Sequence, residues 1–181
     1  MIRNDLWATP VWEFDTGFSG AFNSQLLSQL NSIKMDSGPD FNIWKLNSPY
    51  LDELKKIIIK VTNEAVVENI PKNKRLVITR GWLNTHRTGT SLATHYHGNS
   101  TIACTYYIKA PSNCGDLLLI DPRGGVNWGW ETEGEIQGIK HTRVKPKEGS
   151  LVFFPGFLLH SVEENKSQLP RISLSSNLTL Q

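Results

Sequence analysis

Three of the five histidines in this 181-residue chain fall in a pattern suited to holding a metal: His95 and His97 two residues apart, then His160 far downstream. Imidazoles at i and i+2 on a strand project to the same face, so a third from a later strand can close a three-nitrogen site. Arg171-Ile172-Ser173 follows close behind. A guanidinium there can meet a carboxylate in bidentate fashion and hold an acidic co-substrate beside the metal.

A metal held by three protein ligands on one face keeps its remaining positions open. An oxo-acid fills two of them through its carboxylate and keto oxygens, and dioxygen takes another. The far carboxylate of that acid is costly to bury without a matching cation. Arg171 is suited to that task, with Ser173 on the same strand face. Tyr107, which points the same way as Thr105 on its strand, can add a phenolic hydrogen bond. Taken singly, His95, His160 or Tyr107 reads as readily as a core residue; their grouping with Arg171 is what indicates a site. His86, next to Arg87-Thr88-Gly89, reads as a surface turn residue, and His141, between Lys140 and Arg143, as exposed.

Two kinds of element must position these groups. Phe22, Leu26, Leu30 and Ile33 recur at helical spacing and predict a helix from about Gly20 to Lys34. Ser48-Pro49 starts a longer helix, with Asp52 and Glu53 in its first turn and an apolar stripe of Leu51, Leu54, Ile58, Val61 and Ala65 that ends before Pro71. Beyond Pro71 the pattern becomes β-type, with strands expected at Arg75–Thr85, Thr101–Ile108, Asp116–Asp121, Gly149–Phe154 and Arg171–Leu180. Helices followed by strands imply an α+β, mainly β fold. Antiparallel strands that must avoid free edges suggest a double-sheet jelly roll with the N-terminal helices buttressing one sheet. Ile172, Leu174, Leu178 and Leu180 share one face of the last strand; Arg171, Ser173, Ser175 and Asn177 share the other, which is expected to point into the barrel.

The length suits a single domain over 1–181, helical to about 71 and barrel from about 72. A net charge of +2, with basic residues dispersed, gives no support for nucleic acid as a partner. Cys104 and Cys114 do not suggest a disulfide framework, and Cys104 is expected to be a buried free thiol. No apolar run approaches membrane-span length, and the N-terminus lacks signal-peptide blocks, so the cytoplasm is the expected compartment. The oligomeric state stays open, a homodimer included.

Thr94-His95-Tyr96-His97-Gly98-Asn99-Ser100, with Thr105-Tyr106-Tyr107-Ile108 after it, resembles the first metal motif and following strand of the 2-oxoglutarate/Fe(II) dioxygenases. Gly149 to Pro155, Leu159-His160-Ser161-Val162 and Arg171-Ile172-Ser173 resemble their distal histidine and co-substrate segments. More narrowly, the chain is similar to a 2OG-Fe(II) oxygenase family common in phages and bacteria, which has counterparts of Thr9-Pro10-Val11 and Asp121-Pro122-Arg123. The resemblance spans most of the chain and is strongest from Trp82 to Asn177. It implies a double-stranded β-helix related to the prolyl hydroxylases, with Fe(II), 2-oxoglutarate and O2 as cofactors. The expected reaction is hydroxylation of a small-molecule or peptidyl substrate, with decarboxylation of 2-oxoglutarate to succinate. By the same resemblance His95 and His160 match metal histidines, Arg171 the co-substrate arginine and Tyr107 the co-substrate tyrosine, with Ser173, Thr105 and Asn99 grouped around them.

The departure falls at the third ligand, where such enzymes carry His-x-Asp or His-x-Glu and this chain has His97. His97 can ligate; Asp121 or Asp116 can supply the carboxylate; or the motif can start at His97, which puts Asn99 in the carboxylate register. A neutral triad leaves the metal more positive and can shift its affinity toward zinc or copper. The loop from Asp121 to His141 carries Trp128-Gly129-Trp130 and is expected either as a lid, with Trp128 or Trp130 touching substrate, or as an arm on the barrel exterior. Trp82 and Asn84 share a strand face and are candidates to line the same cavity. The rival readings are a three-histidine cupin-type dioxygenase that needs no oxo-acid, and a non-catalytic jelly-roll binding module stabilised by zinc.

Overall fold

The computed structural model describes residues 8–32, 41–66, 73–123, 135–136 and 139–181. A short strand, β1 (Trp12–Asp15), precedes α1 (Gly20–Ser32), a 3₁₀ turn (Ile43–Lys45), α2 (Pro49–Val61) and a π-helical turn (Thr62–Val66). Strands follow: β2 (Leu76–His86), β3 (Leu92–His95), β4 (Ile102–Lys109), β5 (Leu117–Ile120), β6 (Glu135–Ile136), β7 (Ile139–Val144), β8 (Ser150–Pro155), β9 (His160–Val162) and β10 (Arg171–Leu180). They form two five-stranded sheets, ordered β1-β8-β4-β10-β2 and β3-β9-β5-β7-β6, with antiparallel pairing throughout. This is the jelly roll expected from the strand pattern.

Strand alternation sorts the apolar residues into two layers. Cys104, Tyr106 and Ile108 of β4 and Leu151 and Phe153 of β8 pack with Leu26 and Leu30 of α1 and Leu51, Leu54 and Ile58 of α2. Their neighbours Ala103, Tyr107, Val152 and Phe154 turn the other way, toward Leu117, Leu119 and Val144 of the second sheet. Strands covered on both faces lose the alternation of polar and apolar residues, hence the unbroken run Leu151-Val152-Phe153-Phe154. Each such side chain contributes roughly 1.5–3 kcal/mol by leaving water. Ser48 caps α2 through its hydroxyl, which accepts from Leu51 N–H at 3.3 Å, and Pro49 opens the helix as expected. The Tyr106 hydroxyl donates to Asn23 Oδ1 at 2.5 Å and ties α1 to β4, and burial pushes that phenol up to about 12. Cys104 is a buried free thiol, as expected.

The last strand carries the same logic into the site. Ile172, Leu174 and Leu178 face the helices, while Arg171, Ser173 and Ser175 line a cavity between the sheets. The sequence pattern predicts five strands, and five more, β1, β3, β6, β7 and β9, lie between or before them. Three of these span only three or four residues, too short for alternation to register, and they exist because partners from distant sequence pair with them. No helix among the described residues is long and apolar enough to cross a membrane.

Candidate metal centre and anion pocket

His95 closes β3 and His160 opens β9, and the two are Cα partners in that antiparallel pair. Each ring is held by the same local device. His95 Nδ1 lies 2.9 Å from the carbonyl of Ala93, and His160 Nδ1 lies 2.8 Å from the carbonyl of Leu158. A carbonyl can only accept, so Nδ1 carries a hydrogen in both rings and Nε2 is the nitrogen that remains for a metal. His97 sits two residues past the end of β3 rather than on the strand. Its backbone N–H donates to Gly156 O at 2.8 Å, which brings the loop against the turn that follows β8.

The ligand atoms of His95, His97 and His160 all lie within 4.8 Å of one another, and no carboxylate among the described residues joins the group. Ring centroids are 4.2 Å apart for His95–His160, 5.0 Å for His97–His160 and 5.3 Å for His95–His97. Phe154 packs on His160 at 4.7 Å and Trp82 on His97 at 5.6 Å. Burial, with His95 nearby as a lesser cause, lowers the pKa of His97 to about 4. Burial likewise lowers His160 to about 4, against the opposing pull of the Leu158 carbonyl. Both rings are therefore neutral at physiological pH, the form that ligates a metal.

The same cavity extends along β10 to Arg171, four residues and about 13 Å of strand from Ser175. Arg171 is only 2 % exposed. One guanidinium nitrogen donates to the carbonyls of Cys114 at 3.2 Å and Gly115 at 2.8 Å, while its Nε is buried without a partner. No carboxylate among the described residues forms an ion pair with it. Ser173 neighbours Tyr107 in the β10–β4 register, and both line the cavity with Arg171. Burial raises the Tyr107 phenol, which stays a donor. Thr105 lines the cavity too, with its hydroxyl 3.3 Å from that of Ser175, and Asn84 donates to the same serine at 2.9 Å. Leu117 and Val162 supply an apolar wall.

The structure thus brings His95, His97, His160, Arg171, Ser173, Tyr107, Thr105, Trp82 and Asn84 to one cavity. Asn99 is not among them. It lies exposed in the Gly98-Asn99 turn, where its carbonyl accepts from Thr179 Oγ1. Neither Asp121 nor Asp116 joins the imidazoles: Asp121 binds Arg123 at 2.6 Å, and Asp116, just before β5, donates its backbone N–H to Glu163 Oε2 and acts by its charge on Arg171. Trp128 and Trp130 fall outside the described residues. Two corrections concern histidines. His86 is no surface turn residue: it ends β2 opposite Arg171 and lines the cavity. Its signal was the period-two series Trp82, Asn84, His86. His141 is half-buried in β7 opposite Ile120, with both ring nitrogens sealed from solvent.

The sequence model of the family described as "Putative 2OG-Fe(II) oxygenase" matches residues 80–177, more than half of the chain and every cavity residue named above. The chain belongs to that family. As a 2OG-Fe(II) oxygenase it works with ferrous iron, 2-oxoglutarate and dioxygen, and its donor set fits them. Three imidazoles suit iron, and a buried arginine with an unpartnered nitrogen suits a dicarboxylate.

Solved structures share the fold of this oxygenase at low identity. A collagen prolyl hydroxylase from Paramecium Bursaria Chlorella virus-1 superposes with a TM-score of 0.66 at 16% identity, over 100% of this chain and 99% of its own. A Pseudomonas putida prolyl-4-hydroxylase gives 0.62 at 13%, covering 97% and 90%. HygX from Streptomyces hygroscopicus, solved with nickel and 2-oxoglutarate bound, gives 0.66 at 11%, covering 94% and 83%. Comparison with curated proteins gives no match.

Proposed function

We propose that this oxygenase hydroxylates a small-molecule or peptidyl substrate, with His95, His97 and His160 as the metal ligands and Arg171, Ser173 and Tyr107 as the seat of the 2-oxoglutarate side chain. In the balanced reaction 2-oxoglutarate, dioxygen and a C–H bond give succinate, carbon dioxide and an alcohol. Bound iron and oxo-acid supply the activation of dioxygen.

The observation that carries this reading is Arg171, a cation 2 % exposed with no ion-pair partner among the described residues, in the same cavity as three imidazoles. An unpaired buried charge is strongly destabilising, so a pocket built around one calls for an anion from outside. The protein's own groups do the rest. The Ala93 and Leu158 carbonyls fix two rings with Nε2 presented. The Cys114 and Gly115 carbonyls aim the guanidinium, and Leu117 and Val162 keep water from the acid's chain. Trp82 and Asn84, beside His97 and Ser175, are placed to meet substrate. Tyr96 and Phe157, chain neighbours of the ligand loops, are 60% and 61% exposed and offer an apolar approach.

The test is succinate release from 2-oxoglutarate by the iron-loaded protein in air, with and without Arg171→Gln. Release that needs both iron and Arg171 supports the reading. Iron binding with no affinity for 2-oxoglutarate would favour a three-histidine dioxygenase without an oxo-acid. Retention of zinc with neither activity would favour a binding module.

A further inference from the structure

One polar group in the cavity has no task in the reading above. His86 is the Cα partner of Arg171 in the β2–β10 pair, so both side chains stand on one rung and one face of the sheet. Both line the cavity. Each also holds a nitrogen buried without a hydrogen-bond partner: Nδ1 of His86 and Nε of Arg171. Such orphaned groups are rare in folded proteins and call for a partner. Two of them on adjacent strands, facing one space, point to a single acceptor.

We propose that His86 is a further co-substrate-binding residue, whose Nδ1–H donates to the far carboxylate of 2-oxoglutarate beside the Arg171 guanidinium. This rests on the functional reading above and names a group it did not include.

Three observations bear on the assignment. The position is held from behind, because the buried Asn165 side chain donates to the His86 carbonyl at 2.8 Å and to the Leu169 carbonyl at 3.0 Å, tying the end of β2 to the chain before β10. The ring is neutral without ligand, because burial and then the Arg171 charge lower its pKa to about 4. A neutral imidazole with Nδ1 protonated is a donor that adds no repulsion to Arg171, and it leaves Nε2 as the acceptor. The other polar groups at this end have different directions of approach: Ser173 and Tyr107 reach the acid from β10 and β4, whereas His86 alone reaches it from β2. A carboxylate has lone pairs enough for all of them.

Calorimetric titration of 2-oxoglutarate into the iron-loaded protein under argon tests this, on the wild type and on His86→Leu, His86→Asn and Arg171→Gln. His86→Leu is expected to weaken binding by roughly tenfold or more, the scale of a hydrogen bond to a charged group. His86→Asn, whose amide nitrogen can take the place of Nδ1, is expected to recover most of that loss. In the wild type, ¹⁵N NMR is expected to show the His86 Nδ1 resonance shifting on addition of 2-oxoglutarate, a readout that stands even where a variant fails to fold. Unchanged affinity in His86→Leu, or an unmoved Nδ1 resonance in a wild type that binds 2-oxoglutarate, would overturn the role of His86 alone. A wild type that holds iron and does not bind 2-oxoglutarate would overturn the functional reading and this proposal with it.

Discussion

His95 and His160 face each other as register partners across β3 and β9, and each anchors its ring on the carbonyl two residues earlier in its own chain segment. The two strands need no sequence similarity for this. A histidine that begins or ends a short strand can turn Nδ1 back onto the local backbone, and that fixes which nitrogen faces the metal. His97 has no such anchor among the described hydrogen bonds and is placed by its backbone and by contact with Trp82.

That difference predicts an order among alanine variants. His95→Ala and His160→Ala should each weaken iron binding by more than the roughly 10–100-fold that loss of an outer-shell partner costs. His97→Ala, which removes the less oriented ring, should weaken it less. Metal competition titrations read this directly, and tighter binding in His160→Ala than in His97→Ala would contradict the assignment of the anchors.

The metal-free protein should lose stability in acid. Burial holds His97 and His160 at about 4 in the fold, against 6.5 for an ordinary histidine. Between these values the unfolded chain binds protons that the folded chain does not, so stability rises with pH across that window and falls as pH drops through it. His86 adds to the effect with the same sign. Thermal melts of the metal-free protein should be level above about pH 7 and fall steadily toward about pH 4. A flat profile would contradict the buried, neutral state of these rings.

Gly156 should tolerate no side chain. A Cβ there would stand 2.1 Å from the Ser100 carbonyl oxygen and 3.0 Å from that of His97, both backbone atoms of the ligand loop. Gly156→Ala is expected to cost about 1–3 kcal/mol and to weaken metal binding as well, because the loop must move. Melting temperature and iron affinity should fall together. A variant that loses stability alone would show that the loop position does not set His97.

Arg171→Lys keeps the charge and loses the planar fork. The lysine cannot hold the Cys114 and Gly115 carbonyls and a carboxylate at once with the same geometry. A loss of at least about tenfold in 2-oxoglutarate affinity is expected, with iron affinity unchanged. Equal losses of both would mean that the substitution disturbs the whole cavity.

Much of this site was legible in the residues because strand alternation is strict. Ser173 and Ser175 had to share a face with Arg171, and Tyr107 with Thr105, wherever the strands ended. His86 follows from the same rule, being two residues beyond Asn84 on the face of Trp82; the turn residues after it masked the signal. Strands β3 and β9 were not legible, since their three or four residues are held by pairing with each other across a sequence gap of more than 60 residues. His97 looked like a strand residue for the same reason: where β3 stops is decided by its partner. Asn99 shared the motif with the ligands, but the turn that begins at Gly98 carries it out to solvent.

One cavity is expected to hold both iron, on His95, His97 and His160, and the far carboxylate of 2-oxoglutarate, on Arg171. A crystal structure of the protein loaded with iron and 2-oxoglutarate without oxygen tests it most directly. The expected result is metal on Nε2 of His95 and His160 and on the ring of His97, with the acid's carboxylate paired to Arg171. Metal held by Asp121 or another carboxylate in place of His97, or an oxo-acid lying away from Arg171, would contradict it.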